Sequence, residues 1–68
     1  MLLYWPCGKR KTEYGDTEPI STYDAAVSLA DARQQIELWK DWYKFDIVEA
    51  WIDVYNRGEK VNTIHVKL

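Results

Sequence analysis

The chain has 68 residues, with 9 Lys plus Arg, 11 Asp plus Glu, one histidine and one cysteine. This length suffices for one domain, and the acidic balance argues against duplex-DNA binding. A single cysteine excludes an intrachain disulfide, and one histidine with one cysteine makes no metal set, so no metal or cofactor is expected. The apolar runs are too short to span a membrane, and the lone thiol favours a cytoplasmic protein.

The first nineteen residues are predicted to form a strand followed by a basic loop. Residues 1–5 are apolar and aromatic, and they end at Pro6, which cannot donate to a strand ladder. We therefore expect a short strand at a sheet edge. Residues 7–19 are expected to be loop that carries Lys9-Arg10-Lys11, with a weak strand around residues 12–14.

Residues 20–43 are predicted to form one long amphipathic helix. Ser21 and Asp24 have the spacing of a capping box at its start. Apolar residues then recur at the helical period: Ala25, Leu29, Ala32, Ile36, Trp39 and Tyr43. No Gly or Pro marks the end, which is expected between Lys40 and Lys44.

Residues 47–68 change to a period of two and predict a β-hairpin. One face carries Val48, Ala50, Ile52 and Val54, and the other carries Ile47, Glu49, Trp51, Asp53, Tyr55, Val61 and His65. The turn is placed at residues 56–59. A bulge at Gly58 would bring the apolar sides of both strands onto one face. That register sets Val48 opposite Leu68, Ala50 opposite Val66, Ile52 opposite Ile64, Glu49 opposite Lys67 and Trp51 opposite His65.

The expected architecture is α+β, with one long helix packed on an antiparallel sheet of about three strands. The strand near Leu3 is the expected third member. The whole chain, residues 1–68, is read as a single domain.

Two groups of apolar residues do not fit this minimal core. Leu38 and Trp42 lie opposite the buried stripe, and they form an exposed pair if the helix reaches Trp42; otherwise the helix ends early and Trp42 folds back. The outer sheet face is rich in large rings around Trp51 and Tyr55. It is either a recognition surface or ordinary cross-strand aromatic pairing.

Reactive side chains are few. His65 is interpreted as a packing residue, and nothing in the spacing joins it to Cys7 as a nucleophile. Lys9, Arg10 and Lys11 could hold a phosphate while Trp5 or Tyr14 stacks on a base, although a solvated charge run is the simpler interpretation. We expect no catalytic residues and no enzyme.

The favoured function is a small non-enzymatic protein-binding module, expected as a homodimer with a further protein partner. Trp and Tyr are enriched at interface hot spots. The predicted docking residues are Leu38, Trp42, Trp51 and Tyr55 with the acidic rim Asp41, Glu49 and Asp53. The alternatives are a nucleotide or small-ligand binder that uses Lys9–Lys11 with Trp5 and Tyr14, and a purely structural homo-oligomeric subunit.

In size, acidity, free cysteine and aromatic content the chain resembles the small accessory proteins of phages and mobile elements. Many of these inhibit host defence complexes such as CRISPR effectors. The resemblance lies in overall proportions, so it transfers no functional residue. It implies an inhibitor whose acidic face occupies a nucleic-acid channel of its target.

Overall fold

A computed structural model of the protein describes residues 1–43 and 46–68. The elements follow in the order β1 (Leu2–Lys11), β2 (Thr17–Ser21), α1 (Leu29–Tyr43), β3 (Ile47–Asn56) and β4 (Glu59–His65). The strands form one antiparallel sheet in the order β2-β1-β3-β4. The predicted α+β class with one helix is therefore confirmed for these residues, and the sheet that they form has four strands rather than about three.

The helix begins at Leu29, nine residues later than its predicted start at residue 20. Ser21 belongs to β2, where it pairs with Cys7, so the prediction of a helical start there was wrong. The cap is instead Ser28, whose hydroxyl accepts a hydrogen bond from the backbone N–H of Asp31 at 3.2 Å. Both serines are followed by an aspartate three positions on, and the local pattern does not distinguish them. Because Ser21 is paired with β1 as part of β2, Ser28 is the serine that caps the helix.

One face of α1 packs on the sheet, as its periodicity predicts. Ala32, Ile36 and Trp39 are buried, while Leu29 and Tyr43 pack partly buried against this core. Ala25 precedes the helix. The end at Tyr43 falls in the predicted interval, and Lys44 lies outside the described residues. Within the part of the chain that the structure describes, no helix is long and apolar enough to cross a membrane.

Strand β1 is longer than predicted and lies inside the sheet, not at its edge. It continues through Pro6 to Lys11 and pairs with β3 on one side and β2 on the other. The backbone of Tyr4 exchanges hydrogen bonds with Ala26, which shows that even-numbered residues of β1 point their N–H groups away from β3. The missing N–H of Pro6 therefore points into a gap between the β2 ladder and the Tyr4–Ala26 bridge, where proline is tolerated.

A bulge between β1 and β3 corrects the predicted faces of two residues. Lys9 pairs with Glu49 and Arg10 with Ile47, so Val48 is the extra residue. The bulge turns Ile47 into the core, where it is 9% exposed, and leaves Val48 49% exposed. The predictions that Val48 is buried and that Ile47 is on the outer face were both wrong.

The C-terminal hairpin has the predicted register but a different bulge. Trp51 pairs with His65 and Ile52 with Ile64, which confirms those pairs, and the N–H of Val66 bonds to the carbonyl of Ala50 at 3.0 Å.

The bulge of this hairpin lies at a different residue from the predicted one. Arg57 and Gly58 both have positive φ in a two-residue turn, as in a type I′ turn. Tyr55 pairs with Lys60 and Val54 with Asn62, so the bulge is at Val61 rather than at Gly58.

The predicted return strand extends too far. Strand β4 ends at His65, so the expected pairs of Lys67 with Glu49 and of Leu68 with Val48 lie beyond the ladder. Leu68 is 45% exposed and was wrongly placed in the core.

Candidate functional site

The sheet has one covered face and one open face. Helix α1 packs on the side that carries the buried residues of β3. The opposite side, here called the outer face, has no helix or second sheet over it within residues 1–43 and 46–68. By strand alternation it carries Leu3, Trp5, Cys7 and Lys9 of β1, Glu49, Trp51, Asp53 and Tyr55 of β3, and Thr63 and His65 of β4.

Two of the rings on this face contact each other edge to face. The centroids of Trp5 and Tyr55 are 6.4 Å apart with an interplanar angle of 69°. The Trp5 indole N–H donates a 3.0 Å hydrogen bond to the carbonyl of Thr22. In a continuous ladder that carbonyl would face Pro6, which has no N–H to offer. The indole therefore satisfies the acceptor that the proline leaves, and this bond holds the Trp5 ring in place.

Asp53 lies at the centre of the polar contacts on the outer face. Its side chain is only 15% exposed. Oδ1 accepts a hydrogen bond from the Thr63 hydroxyl at 3.1 Å and lies 4.0 Å from the Lys60 ammonium. Oδ2 lies 3.7 Å from the Cys7 sulfur, whose single thiol hydrogen has two acceptors in reach, this oxygen and the Trp5 carbonyl at 3.5 Å.

Burial, reinforced by the charge and hydrogen bond of Asp53, raises the pKa of Cys7 to about 11. At neutral pH this residue is therefore a thiol, not a nucleophilic thiolate. Cys7 and His65 both pair with Trp51, from opposite sides of β3, so two strand spacings of about 4.8 Å each separate them. The arrangement provides no Cys–His contact. Within the described residues no group of three or more His, Cys, Asp or Glu side chains could hold a metal.

Two hollows flank Asp53 on the outer face. One, of about 550 Å³, is lined by Leu3, Trp5, Cys7, Ser21, Asp53, Tyr55 and Gly58. The other, of about 290 Å³, is lined by Lys9, Glu49, Trp51, Asp53, Lys60, Thr63 and His65. The first is the more apolar and carries the Trp5–Tyr55 ring pair. We call it the ring hollow.

The structure divides the predicted docking residues between two surfaces. Trp51, Tyr55, Glu49 and Asp53 share the outer face, whereas Leu38, Asp41 and Trp42 belong to α1 on the other side of the sheet. Trp42 is 64% exposed, as expected for a helix that reaches it, and the alternative in which it folds back onto the core was wrong. A partner on the outer face would not contact Trp42 at the same time.

The residues of the predicted phosphate site are dispersed. Lys9, Arg10 and Lys11 end strand β1 and do not lie in a loop, which corrects the sequence-based expectation. Lys9 lies on the outer face, 3.9 Å from Glu49. Arg10 is on the opposite face, paired with Glu18 and stacked 5.2 Å from the centroid of the Tyr43 ring.

A hollow near the β1–β2 turn contains part of the predicted phosphate set. The described residues that line it are Arg10, Lys11, Thr12, Glu13, Tyr14, Glu18 and Asp46, so three carboxylates accompany two cations among them. Trp5 lines the ring hollow instead. This charge balance is unfavourable for a phosphate.

Sequence reasoning missed the contribution of β1 to the outer face. Trp5 was assigned to a nucleotide site, and Leu3 and Cys7 were assigned to no site. The available signal was the alternation Leu3, Trp5, Cys7, which continues across Pro6 with period two. Reading Pro6 as the end of the strand concealed it.

No protein-family model, curated protein or solved structure matches the chain.

Proposed function

We propose that the protein is a non-enzymatic binding module that docks a protein partner on the outer face of its sheet. The observation that carries the proposal is an aromatic face with no covering layer among the described residues. Antiparallel sheets often leave one face in water, but that face is then usually polar. Here Trp5, Trp51 and Tyr55 stand on it. Tryptophan and tyrosine are enriched among the few residues that dominate the binding energy at protein interfaces.

The polar residues of this face suit a rim around an aromatic centre. Glu49 is half exposed and paired with Lys9, so it can exchange that contact for one with a partner at little cost. Strands of ten residues and three strand spacings give a plane of at most roughly 500 Å². Standard interfaces use about 800 Å² per partner, so this face is smaller than a standard interface patch.

The same tryptophan-to-lysine substitution on two surfaces tests the proposal. Trp51→Lys introduces a charge on the outer face, and Trp42→Lys makes the identical change on the solvent side of α1. Affinity capture of partners from the native host should fall at least tenfold for Trp51→Lys and stay within twofold for Trp42→Lys. A loss of partner capture for Trp42→Lys alone would contradict docking on the outer face. Unchanged capture for both variants would contradict it as well.

We also propose a homodimer, because the two apolar surfaces lie on opposite sides of the sheet and one can self-associate while the other binds. Trp42, 64% exposed, is the candidate seam residue. Light scattering on the wild type and both variants measures this directly. A wild-type dimer that Trp42→Lys converts to a monomer supports the idea, and a monomeric wild type at high micromolar concentration refutes it.

Inhibition of a host defence complex is the setting that the resemblance to phage accessory proteins suggests. Its support is the chain's size, acidity and aromatic content.

A further inference from the structure

The carboxylate of Asp53 has an under-used oxygen that borders the ring hollow. Thr63 and Lys60 approach Oδ1, on the side of the smaller hollow. Among the described residues, the only hydrogen-bond donor at Oδ2 is the Cys7 thiol, at 3.7 Å. A thiol is a weak donor, whereas an ionised carboxylate oxygen can accept two strong hydrogen bonds. Oδ2 therefore retains accepting capacity beside the hollow.

Aromatic walls surround the same position. Trp5 is directly opposite Asp53 in the strand pairing, and Tyr55 is two residues further along β3 on the same face. Both rings line the hollow and their planes meet at 69°, so the hollow has two differently oriented aromatic walls next to a carboxylate. Ring faces and a carboxylate both attract cations, and a partly desolvated site strengthens both interactions.

We propose that the ring hollow binds an arginine side chain of the protein partner. A guanidinium is planar and weakly hydrated, so it can stack on a ring while one N–H donates to Asp53 Oδ2. The volume of about 550 Å³ accommodates such a side chain with part of its stem. The net charge of −2 also favours a basic partner. This inference rests on the proposed function and names the chemistry of its partner.

A peptide titration tests the inference without knowledge of the partner. The probe is the tripeptide acetyl-Gly-Arg-Gly-amide, followed in low salt through the indole N–H resonances of ¹⁵N-labelled protein. The control peptide replaces arginine by citrulline, which keeps the shape but removes the charge. We expect the arginine peptide to cause saturable shifts centred on the Trp5 indole resonance. The citrulline peptide should bind at least tenfold more weakly.

Matched variants separate a specific site from general attraction. Asp53→Asn should weaken the arginine peptide about tenfold, whereas Glu49→Gln, which removes the same charge from the same face, should change affinity less than twofold. Tyr55→Leu keeps the Asp53 carboxylate but removes one aromatic wall of the hollow, and it should lower the affinity for the arginine peptide threefold or more. Urea unfolding of each variant verifies that it is folded under the titration conditions.

Several outcomes would overturn the inference. These are equal binding of the citrulline peptide, equal losses for Asp53→Asn and Glu49→Gln, or shifts confined to tryptophans other than Trp5. Failure of the inference is distinguishable from failure of the proposed function. If Trp51→Lys abolishes partner capture while folded Asp53→Asn retains it, the outer face is the docking surface but the ring hollow does not bind an arginine.

Discussion

Gly8→Ala should strongly destabilise the fold, because the backbone of β3 and a side chain of α1 both pack closely against Gly8 of β1. Gly8 is buried and pairs with Ala50 on β3 beneath the ring of Trp39. A Cβ at Gly8 would lie 2.9 Å from the backbone carbonyl oxygen of Glu49 and 3.7 Å from Cζ3 of Trp39. The second distance is an ordinary contact. The first requires the two strands to separate.

The expected magnitude follows from opposing terms. Forcing an extra methyl into a packed site costs typically about 1–3 kcal/mol. Replacing glycine by alanine returns about 0.4–1 kcal/mol by restricting the unfolded chain. We expect a net loss of about 1–2 kcal/mol. A domain of this size has roughly 3–10 kcal/mol of stability in total, so the loss is a large fraction of it.

Urea unfolding followed by tryptophan fluorescence measures the change, and a double-mutant cycle identifies its cause. If the strained contact is with the Glu49 backbone, Trp39→Leu should not rescue Gly8→Ala, and the coupling free energy should stay within about 0.5 kcal/mol. A neutral or stabilising Gly8→Ala would refute the reasoning. Rescue by Trp39→Leu above about 1 kcal/mol would show that the ring, not the strand backbone, is the obstacle.

Three further predictions concern the helix start, the Trp5 ring and the thiol. Ser28→Ala removes the helix cap and should cost about 1 kcal/mol in urea unfolding, whereas Ser21→Ala should change stability by less than about 0.5 kcal/mol; equal effects would contradict the placement of the cap. Trp5→Phe leaves the Thr22 carbonyl without its indole donor and should cost about 1–2 kcal/mol, and an unchanged unfolding midpoint would show that water replaces the bond fully. Because burial and Asp53 raise the pKa of Cys7 from its ordinary 9.0 to about 11, the thiolate fraction at pH 8 is about 100-fold lower folded than unfolded. A thiolate of higher pKa is the stronger nucleophile, and this raises the folded rate by a factor of roughly 6–10. Iodoacetamide should therefore alkylate the folded protein at least about tenfold more slowly than the urea-unfolded chain. The folded rate should keep rising with pH up to about 11, and equal rates in the two states would contradict the raised pKa.

The sequence by itself determined the features that depend on periodicity. The stripe Ala32, Ile36 and Trp39 defined the helix face that contacts the sheet. The alternation in β3 and the apolar residues of β4 selected the register that pairs Ile52 with Ile64. The sequence predicts these features because turning the helix face away from the sheet, or shifting the strand register by one residue, would expose the whole set of apolar side chains to water.

Only the tertiary structure decided the features that depend on pairing between distant segments. Ser21 and Ser28 carry the same local capping signal, and pairing of β2 with β1 determined which one caps the helix. Pro6 predicts the end of a strand from its local chemistry. Strand β1 nevertheless continues through it, because the position of its missing N–H faces the gap beside β2.

The candidate site depended on the same long-range pairing. Trp5 and Asp53 are 48 residues apart in sequence and face each other only because β1 inserts between β2 and β3. Side chains brought together across strands leave no fixed spacing in the sequence. The sequence therefore identified the aromatic residues of β3, but the ring hollow could be recognised only in the folded sheet.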